Sequence, residues 1–569
     1  MIKYFCKKCN LKSDISICPV CGDRAELSQS TIHWCDDCNI PLYDDVCPIC
    51  GKHARRIGSD LRPVFPEERL LLEILIGEPF KYKNSSVWNA SGNHYYADGK
   101  KISFSVGQTR DMDASEIRKQ LFDLLPKNNY DVFDRYIEKY ISANSSRYEY
   151  ISTEAMDFIR RMADGSELTD MFVSFSGGKD STVVSDLVLR ALGTQQILHI
   201  YGDTTLEFPE SAKYVKRFRK EHPKTPIITS RNKDKDFYEL AETLGSPSRQ
   251  MRWCCTVFKT GAIQRKIQTL FKNQKSILTF NGIRRSESSS RNKYERESDS
   301  SKIAVQRTVS PIIDWLDFDV WLYILSKGID FNQAYRNGYT RVGCWMCPNN
   351  SIWSEFLSQI YMPEQYKKWH GFLLRFAVKL GKDDPEKYVK EGKWKARQGG
   401  TGIEYANTSV LTFEPCALQE NTINFELQKP ITEELYELFK PFGHLNFSLG
   451  NQRLGEVYVL GPDGTIHLKL QGRIGSTSLK VSILNKKAGH CVSIKAVEDK
   501  VKCQITKYQM CMGCLGCESV CKFGAIDIVT NRKGLISYKI SDDKCVRCGN
   551  CISHFDGGCY IRKVLCIKR

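Results

Sequence analysis

The residues best suited to chemistry fall into two kinds, a glycine-rich loop and groups of closely spaced cysteines. The loop is "SFSGGKDS", residues 174–181, between the apolar run "MFVSF" and the helical pattern "DSTVVSDLVLRALG". That order predicts a strand-to-helix turn. Gly177 and Gly178 let the backbone approach an anion, and a helix N-terminus adds N–H groups and a favourable dipole. Lys179 adds a positive charge, and the hydroxyls of Ser176 and Ser181 can donate hydrogen bonds. The chemistry implied is a grip on phosphate, but the glycine spacing is not that of GxxxxGK[ST].

The chain holds 24 cysteines, most at two-residue spacing. No export signal is read at "MIKYFCKKCN", so these groups point to metal sites in a reducing, cytoplasmic setting rather than to disulfides. At the N-terminus Cys6, Cys9, Cys18 and Cys21 recur 29 residues later as Cys35, Cys38, Cys47 and Cys50, an internal duplication. Each unit supplies two knuckles to a tetrahedral four-thiolate site, so two structural zinc ions are expected, with rubredoxin-type iron as the alternative. Neither unit has the apolar residues to fold without metal. His33, Lys52, His53, Arg55 and Arg56 offer edges for nucleic acid, although a purely structural ribbon is the simpler reading.

Beyond the loop, "QILHIYGDT", "TPIITS" and "SILTFNGIR" read as strands, with "FPESAKYVKRFRKEH" as a helix between the first two. Alternation of this kind predicts a Rossmann-like parallel sheet covered by helices, with ligand at the carboxyl ends of its strands. Here the chain resembles the phosphoadenylyl-sulfate (PAPS) reductase family within the PP-loop adenine-nucleotide alpha-hydrolase (HUP) superfamily. The resemblance covers roughly 150–390 and is carried by "SFSGGKDS", "YGDTTLEFPES", "RWCCTVFKTG", "GIRRSESSSR", "PIIDWLDFDVWLYI" and "YRNGYTRVGCWMCP", in that order. It implies that Ser176, Gly177, Gly178, Lys179, Asp180 and Ser181 bind the phosphates of an adenine nucleotide, either ATP or a sulfonucleotide (PAPS or APS). It implies further that Asp203 and Thr204 border the nucleotide. Arg284, Arg285 and Arg291 would meet phosphate or sulfate oxygens, with Lys179, Arg284 and Arg285 as the catalytic charges.

Cys254, Cys255, Cys344 and Cys347 form a CC…CxxC arrangement that in this family resembles a 4Fe–4S site. Zinc and a dithiol pair are the alternatives. One departure stands out: the reductases' ECGxH-type tail is absent, and Cys416 in "FEPCALQ" reads as a buried structural cysteine. At the C-terminus Cys511, Cys514, Cys517 and Cys521 have the C-x2-C-x2-C-x3-C spacing of bacterial ferredoxins, followed by Cys545, Cys548, Cys551 and Cys559. Two 4Fe–4S clusters are expected, one on Cys511, Cys514, Cys517 and Cys559, the other on Cys545, Cys548, Cys551 and Cys521. Lys522 replaces the usual proline, and Cys559 is displaced by a longer spacer.

The elements that position these groups suggest a multidomain α/β protein. Its expected parts are a duplicated zinc ribbon (1–55), an α+β domain of unassigned role (56–150), a PAPS reductase-like PP-loop domain (151–395), a small β-rich domain (403–500) and a ferredoxin-like domain (501–569). In 56–150, "FPEERLLLEILIG" reads as an amphipathic helix and "HYYADGKKISFSV" as a hairpin around Asp-Gly. "EVYVLGPDGTIHLKLQG" is a second hairpin. No apolar run reaches the roughly 18 residues of a membrane span. Lys and Arg (83) exceed Asp and Glu (66), a net charge of +17 that suits an anionic partner.

Three functions follow. The first is electron-dependent sulfur chemistry on an adenylylated compound. The second is an ATP-dependent sulfurtransferase adenylating nucleic acid, as in DNA phosphorothioation or tRNA thiolation. The third is a non-enzymatic nucleic-acid-binding redox sensor. Partners implied are the adenine nucleotide, an electron donor, DNA or tRNA in the later readings, and a cysteine desulfurase if sulfur is delivered as persulfide.

Overall fold

Strand-forming runs of β-branched and aromatic residues build a six-stranded sheet around Met171–Phe175. Its spatial order is Ile227–Ser230, Leu198–Gly202, Met171–Phe175, Ile277–Asn281, Gln306–Val309 and Glu297–Asp299. Adjacent strands are parallel except the edge strand Glu297–Asp299, which runs antiparallel. The order reverses at Met171–Phe175: the chain moves to one side for the next two strands, then crosses to the other. Ligands of open α/β sheets bind at such a switch point. The computed structural model describes the chain apart from residues 1–3, 7, 10, 14–17, 23–25, 28–30, 234, 250–251, 273, 275, 289–290, 300–305, 397–411, 512–515, 531–535 and 553–569.

The helix Lys179–Leu192 follows the central strand and buries Val183, Val184, Leu187, Val188 and Ala191. These pack in one core with Ile151, Ala155, Phe158 and Ile159 of the helix Ser145–Ala163. Each such aliphatic side chain contributes about 1.5–3 kcal/mol by leaving water. Gly193 ends the first helix with φ 66°, a left-handed conformation that only glycine adopts cheaply. Helix Ser145–Ala163 also runs without a break through the boundary expected at 150.

The segment before it is built into the same body. Strand Leu61–Pro63 pairs with Val87–Ala90, which pairs with His94–Ala97. Leu61 and Trp88 share a core with Ile32 and Trp34 of the second ribbon and with Leu316, Phe318 and Leu322. The helix Pro66–Leu75 differs from the amphipathic expectation, because it is buried on nearly every side. Its charged residues are buried as partners. Glu68 accepts from both terminal nitrogens of Arg62 (2.6 and 2.7 Å) and from the Tyr95 hydroxyl (2.7 Å). Glu73 accepts from the backbone N–H groups of Phe80 and Tyr82.

Past the parallel sheet, six antiparallel strands between Thr412 and Ile483 form the β-rich domain. Helix Ile494–Met510 packs on this sheet and leads to Cys511. Antiparallel strands Ile526–Thr530 and Ile536–Ile540 lie between the two C-terminal cysteine groups. Among the described residues no helix is long and apolar enough to cross a membrane.

Candidate nucleotide and metal sites

The loop 176–178 is held by its own hydroxyls. The Ser176 N–H donates to Ser181 Oγ (3.2 Å), Ser181 Oγ donates to the Gly178 carbonyl (2.9 Å), and the Lys179 N–H donates to the Tyr335 hydroxyl (3.0 Å). Gly177 has φ 71°. A Cβ on Gly282, at the end of the neighbouring strand, would sit 2.7 Å from the Asp180 carbonyl carbon, so glycine there lets two strand ends close on the loop.

Four charges meet beside it. Lys179 Nζ lies 3.1 Å from Asp180 Oδ2 and 3.2 Å from Asp317 Oδ1. Arg284 reaches the same two carboxylates at 2.6 Å each. Burial opposes the Lys179 charge, but Asp180 and Asp317 outweigh it and raise its pKa. Burial likewise opposes ionisation of Asp180, but Arg284 and Lys179 outweigh it and lower its pKa. Two cations thus balance two carboxylates, and a phosphate arriving at the loop competes with Asp317 for Lys179. Asp60 accepts from the backbone N–H groups of Asp317 and Phe318 (3.0 Å each), capping the helix Asp317–Lys327. Burial, then the nearby Asp317 charge, raise the Asp60 carboxyl to about 7.

A cavity of about 380 Å3 opens above this quartet. Lys179, Arg284 and Asp317 form one wall, Arg341 and Asn349 another, and Asp60, Arg62 and Asn89–Asn93 the third. That third wall comes from the 56–150 segment, to which the sequence assigned no chemistry. Asp317 and Tyr335 were legible within "PIIDWLDFD" and "YRNGY" but were not singled out. Asp60 and Asn89 carry no local signal at all.

The remaining arginines are engaged elsewhere. Arg285 is paired with Asp314 and donates to the Tyr294 carbonyl, while Arg291 is paired with Glu287. Arg291 nevertheless lies close enough to Asp180 and Arg341 to feel their charges. Asp203 accepts from the Thr205 N–H (2.8 Å) and sits 3.8 Å from Arg231. Thr205 has φ 65°, a strained geometry for a β-branched residue.

Thr204 joins the strand end to the central cysteines. Its hydroxyl donates to Glu207 (2.6 Å) and lies 3.4 Å from Cys344 Sγ. Glu207 bridges to Cys344, and the Trp345 N–H donates to the Leu206 carbonyl. Cys254 and Cys255 open the turn leading into helix Gly261–Leu270. The neighbouring Cys255 thiol, burial, and then Cys344 and Cys347 raise Cys254 far above its usual value. Burial pushes Cys344 up to about 12, with Lys259 acting in the opposite direction. Cys254, Cys344 and Cys347 thus lie close enough to affect one another's ionisation, but among the described residues the thiols that converge within 4.8 Å of one another are those of the N-terminal groups and not these four.

In the second ribbon the Sγ atoms of Cys35, Cys38, Cys47 and Cys50 lie within 4.8 Å of one another, and the Cys38 N–H donates to Cys35 Sγ (3.4 Å). This donor set fits a tetrahedral ion. Cys9, Cys18 and Cys21 converge in the same way, and the Cys6 side chain lies outside the described residues. Lys52 pairs with Asp37 and Arg55 with Asp36, which neutralises part of the basic edge. His33 Nδ1 lies 3.2 Å from the Tyr43 carbonyl. His53 forms a backbone bridge with Val46, and Arg56 pairs through its backbone with His33.

At the C-terminus Cys521, Cys545, Cys548 and Cys551 line one small cavity, although they are not among the cysteines whose thiols converge within 4.8 Å of one another. Cys511 and Cys517 both border Tyr538. Cys514 and Cys559 lie outside the described residues. Cys416 corrects an expectation. It follows the exposed edge strand Thr412–Pro415 and is only partly buried. The Leu418 N–H lowers its thiol pKa.

With this geometry in view, the similarities to known proteins can be placed. Residues 170–350 match the phosphoadenosine phosphosulfate reductase domain family. An uncharacterized protein of Methanocaldococcus jannaschii is 32% identical over 266 residues, 46% of this chain and 61% of that protein. A second from the same organism is 31% identical over 300 residues, 52% and 57% respectively. The chain therefore spans about three fifths of these two relatives. The adenosine 5'-phosphosulfate reductase of Oceanobacillus iheyensis is 29% identical over 181 residues, 32% of this chain and 71% of that enzyme. Among solved structures, the PAPS reductase of Candida auris overlaps 35% of this chain and 94% of its own, at 16% identity and TM-score 0.28. Residues 170–350 thus match a PAPS reductase-type domain within a longer chain.

Proposed function

We propose that this protein is an iron–sulfur enzyme that binds an adenine nucleotide at the 176–181 loop and carries out electron-dependent sulfur chemistry on it. The observation that carries this reading is the Thr204–Glu207 turn. One face of it follows a strand end beside the nucleotide loop, and the other touches Cys344. A nucleotide whose phosphates lie on Lys179 and Arg284 would direct its sulfur-bearing end toward the four thiols.

In this reading the chain's own residues bind and orient. Loop N–H groups and the Ser176 hydroxyl would donate to the phosphate oxygens, Lys179 and Arg284 would balance charge on the departing phosphate or sulfate, and Asp317 holds both cations in place. Cys254, Cys255, Cys344 and Cys347 would hold a cluster, and Cys511–Cys559 two more. Bound clusters supply one-electron chemistry. The described part of the C-terminal module is docked against the same domain. Arg265 grips Glu518 through two nitrogens (2.7 and 3.0 Å), and the helix Gly516–Val520 packs against the turn that Cys255 opens.

A second reading, an adenylating sulfurtransferase acting on nucleic acid, is favoured by the missing ECGxH tail and by the half-exposed, edge-strand position of Cys416. One anaerobic experiment separates them: reduced, cluster-loaded protein is incubated with ATP, APS and PAPS in parallel. Sulfite with AMP or adenosine bisphosphate supports the first reading. AMP and pyrophosphate from ATP, rising with added tRNA or DNA, supports the second. Lys179→Ala should weaken nucleotide binding at least a hundredfold; unchanged binding would remove the loop from the site.

A further inference from the structure

A second cavity, of about 720 Å3, lies on the far side of the Cys344–Cys347 loop. Small-molecule sites run from roughly 300 to 1,000 Å3. Trp345 and Met346, the two residues between those cysteines, form part of its wall, and Asn350 and Ser351 line both this cavity and the nucleotide cavity. The two spaces are therefore neighbours separated by the cysteine loop.

The lining is aromatic, with amide and carboxyl edges. Trp345, Tyr366, Trp369 and Trp394 border it; the three tryptophans are buried, Trp369 stacks on Phe372 at 5.0 Å and meets Trp394 edge to face at 5.7 Å, and Tyr366 is the partly exposed ring. Asn350, Glu355 and Gln359 supply hydrogen-bonding edges. The buried Lys395 holds this wall, reaching Glu355 (2.7 Å) and the Asn350 carbonyl (3.0 Å). Two acidic liners already have cationic neighbours, Glu355 in Lys395 and Glu391 in Lys393 (2.6 Å), while Glu386 lies 3.9 Å from the His370 ring. Arg110 and Arg249 are exposed residues of the lining, Arg249 donating through Nε to the Pro348 carbonyl (3.2 Å).

We propose that this cavity binds a second nucleotide unit, with its planar base beside Tyr366 and its phosphate at Arg110 and Arg249. Aromatic faces accept any base, amide edges read its rim, and guanidinium groups suit phosphate. The role of this unit as sulfur acceptor rests on the sulfurtransferase reading above; its binding does not. The ligand is either a free mononucleotide or a residue of a single strand.

The test uses full-length, metal-loaded protein under anaerobic conditions with two photoreactive probes. One is 4-thiouridine monophosphate; the other is a single-stranded RNA of mixed sequence carrying one central 4-thiouridine. After irradiation the adducts are mapped by mass spectrometry, and ATP binding is measured on the same sample. Adducts on Tyr366 are expected. Labelling by the mononucleotide identifies a free nucleotide as ligand, and labelling by RNA alone identifies a strand. Arg249→Glu should weaken probe binding at least tenfold, whereas Lys179→Ala should abolish ATP binding and leave the adducts in place. No binding of either probe at millimolar concentration, or adducts only outside this cavity, overturns the proposal. Intact ATP binding in that case would leave the nucleotide loop reading standing.

Discussion

Asp60 shows how much a single carboxyl can report. Its backbone belongs to the 56–150 segment, yet its oxygens cap the helix that carries Asp317, and Asp317 in turn holds Lys179 and Arg284. With its pKa raised to about 7, Asp60 is protonated in the fold at pH values where the unfolded chain has already lost that proton. The folded state then binds more protons, so its stability falls as pH rises from about 4 toward 7. Asp60→Asn should flatten that slope in denaturant titrations at pH 5 and 7. A phosphate brought near Asp60 raises its pKa further. Adenine-nucleotide binding near pH 7 should therefore take up protons, seen by calorimetry in buffers of different ionisation heat, and Asp60→Asn should remove the uptake.

At the scale of elements, each supporting piece depends on a small set of polar contacts. The second ribbon has four thiols in ligand reach at its turns, while Ile32, Trp34, Ile40 and Leu42 tie its strands to neighbouring elements. Cys47→Ser should lose one metal equivalent per chain, by metal analysis, and expose the 35–50 segment to protease. The helix Pro66–Leu75 depends on Arg62, whose fork satisfies a fully buried Glu68. Arg62→Ala leaves that carboxylate without its counter-charge and should cost about 3–5 kcal/mol in chemical denaturation. Because Leu61 and Arg62 line the cavity beside Lys179 and Arg284, the same variant should, on the reading proposed above, also weaken nucleotide binding.

Across the whole molecule, the Arg265–Glu518 fork ties the C-terminal module to the helix that follows Cys254 and Cys255. Arg265 also donates to the Ile528 carbonyl (2.6 Å), so one side chain holds both a helix and a strand of that module. Arg265→Ala should destabilise this docking by about 2 kcal/mol. The expected readouts are faster proteolysis between the two domains and, on the reading proposed above, slower reduction of the central site with nucleotide affinity unchanged.

Much of this was legible in the chain itself, for reasons local to each motif. The strand–loop–helix unit at 171–193 declares itself because apolar periodicity and glycine placement act over a few residues. The duplicated cysteines declare theirs because a knuckle is a local turn. What the tertiary structure alone decided were the long-range meetings. Asp60 and Asn89 reach the nucleotide cavity through a shared core, and Arg285 turns to Asp314 although it neighbours Arg284 in sequence. Cys416, expected inside, follows an exposed edge strand and is only partly buried. Helix Pro66–Leu75 reads as amphipathic because its charges are visible in the sequence and their buried partners, apart from nearby residues such as Arg62, are not. Spacing along a chain reports which groups share a turn; only packing determines which distant groups share a site.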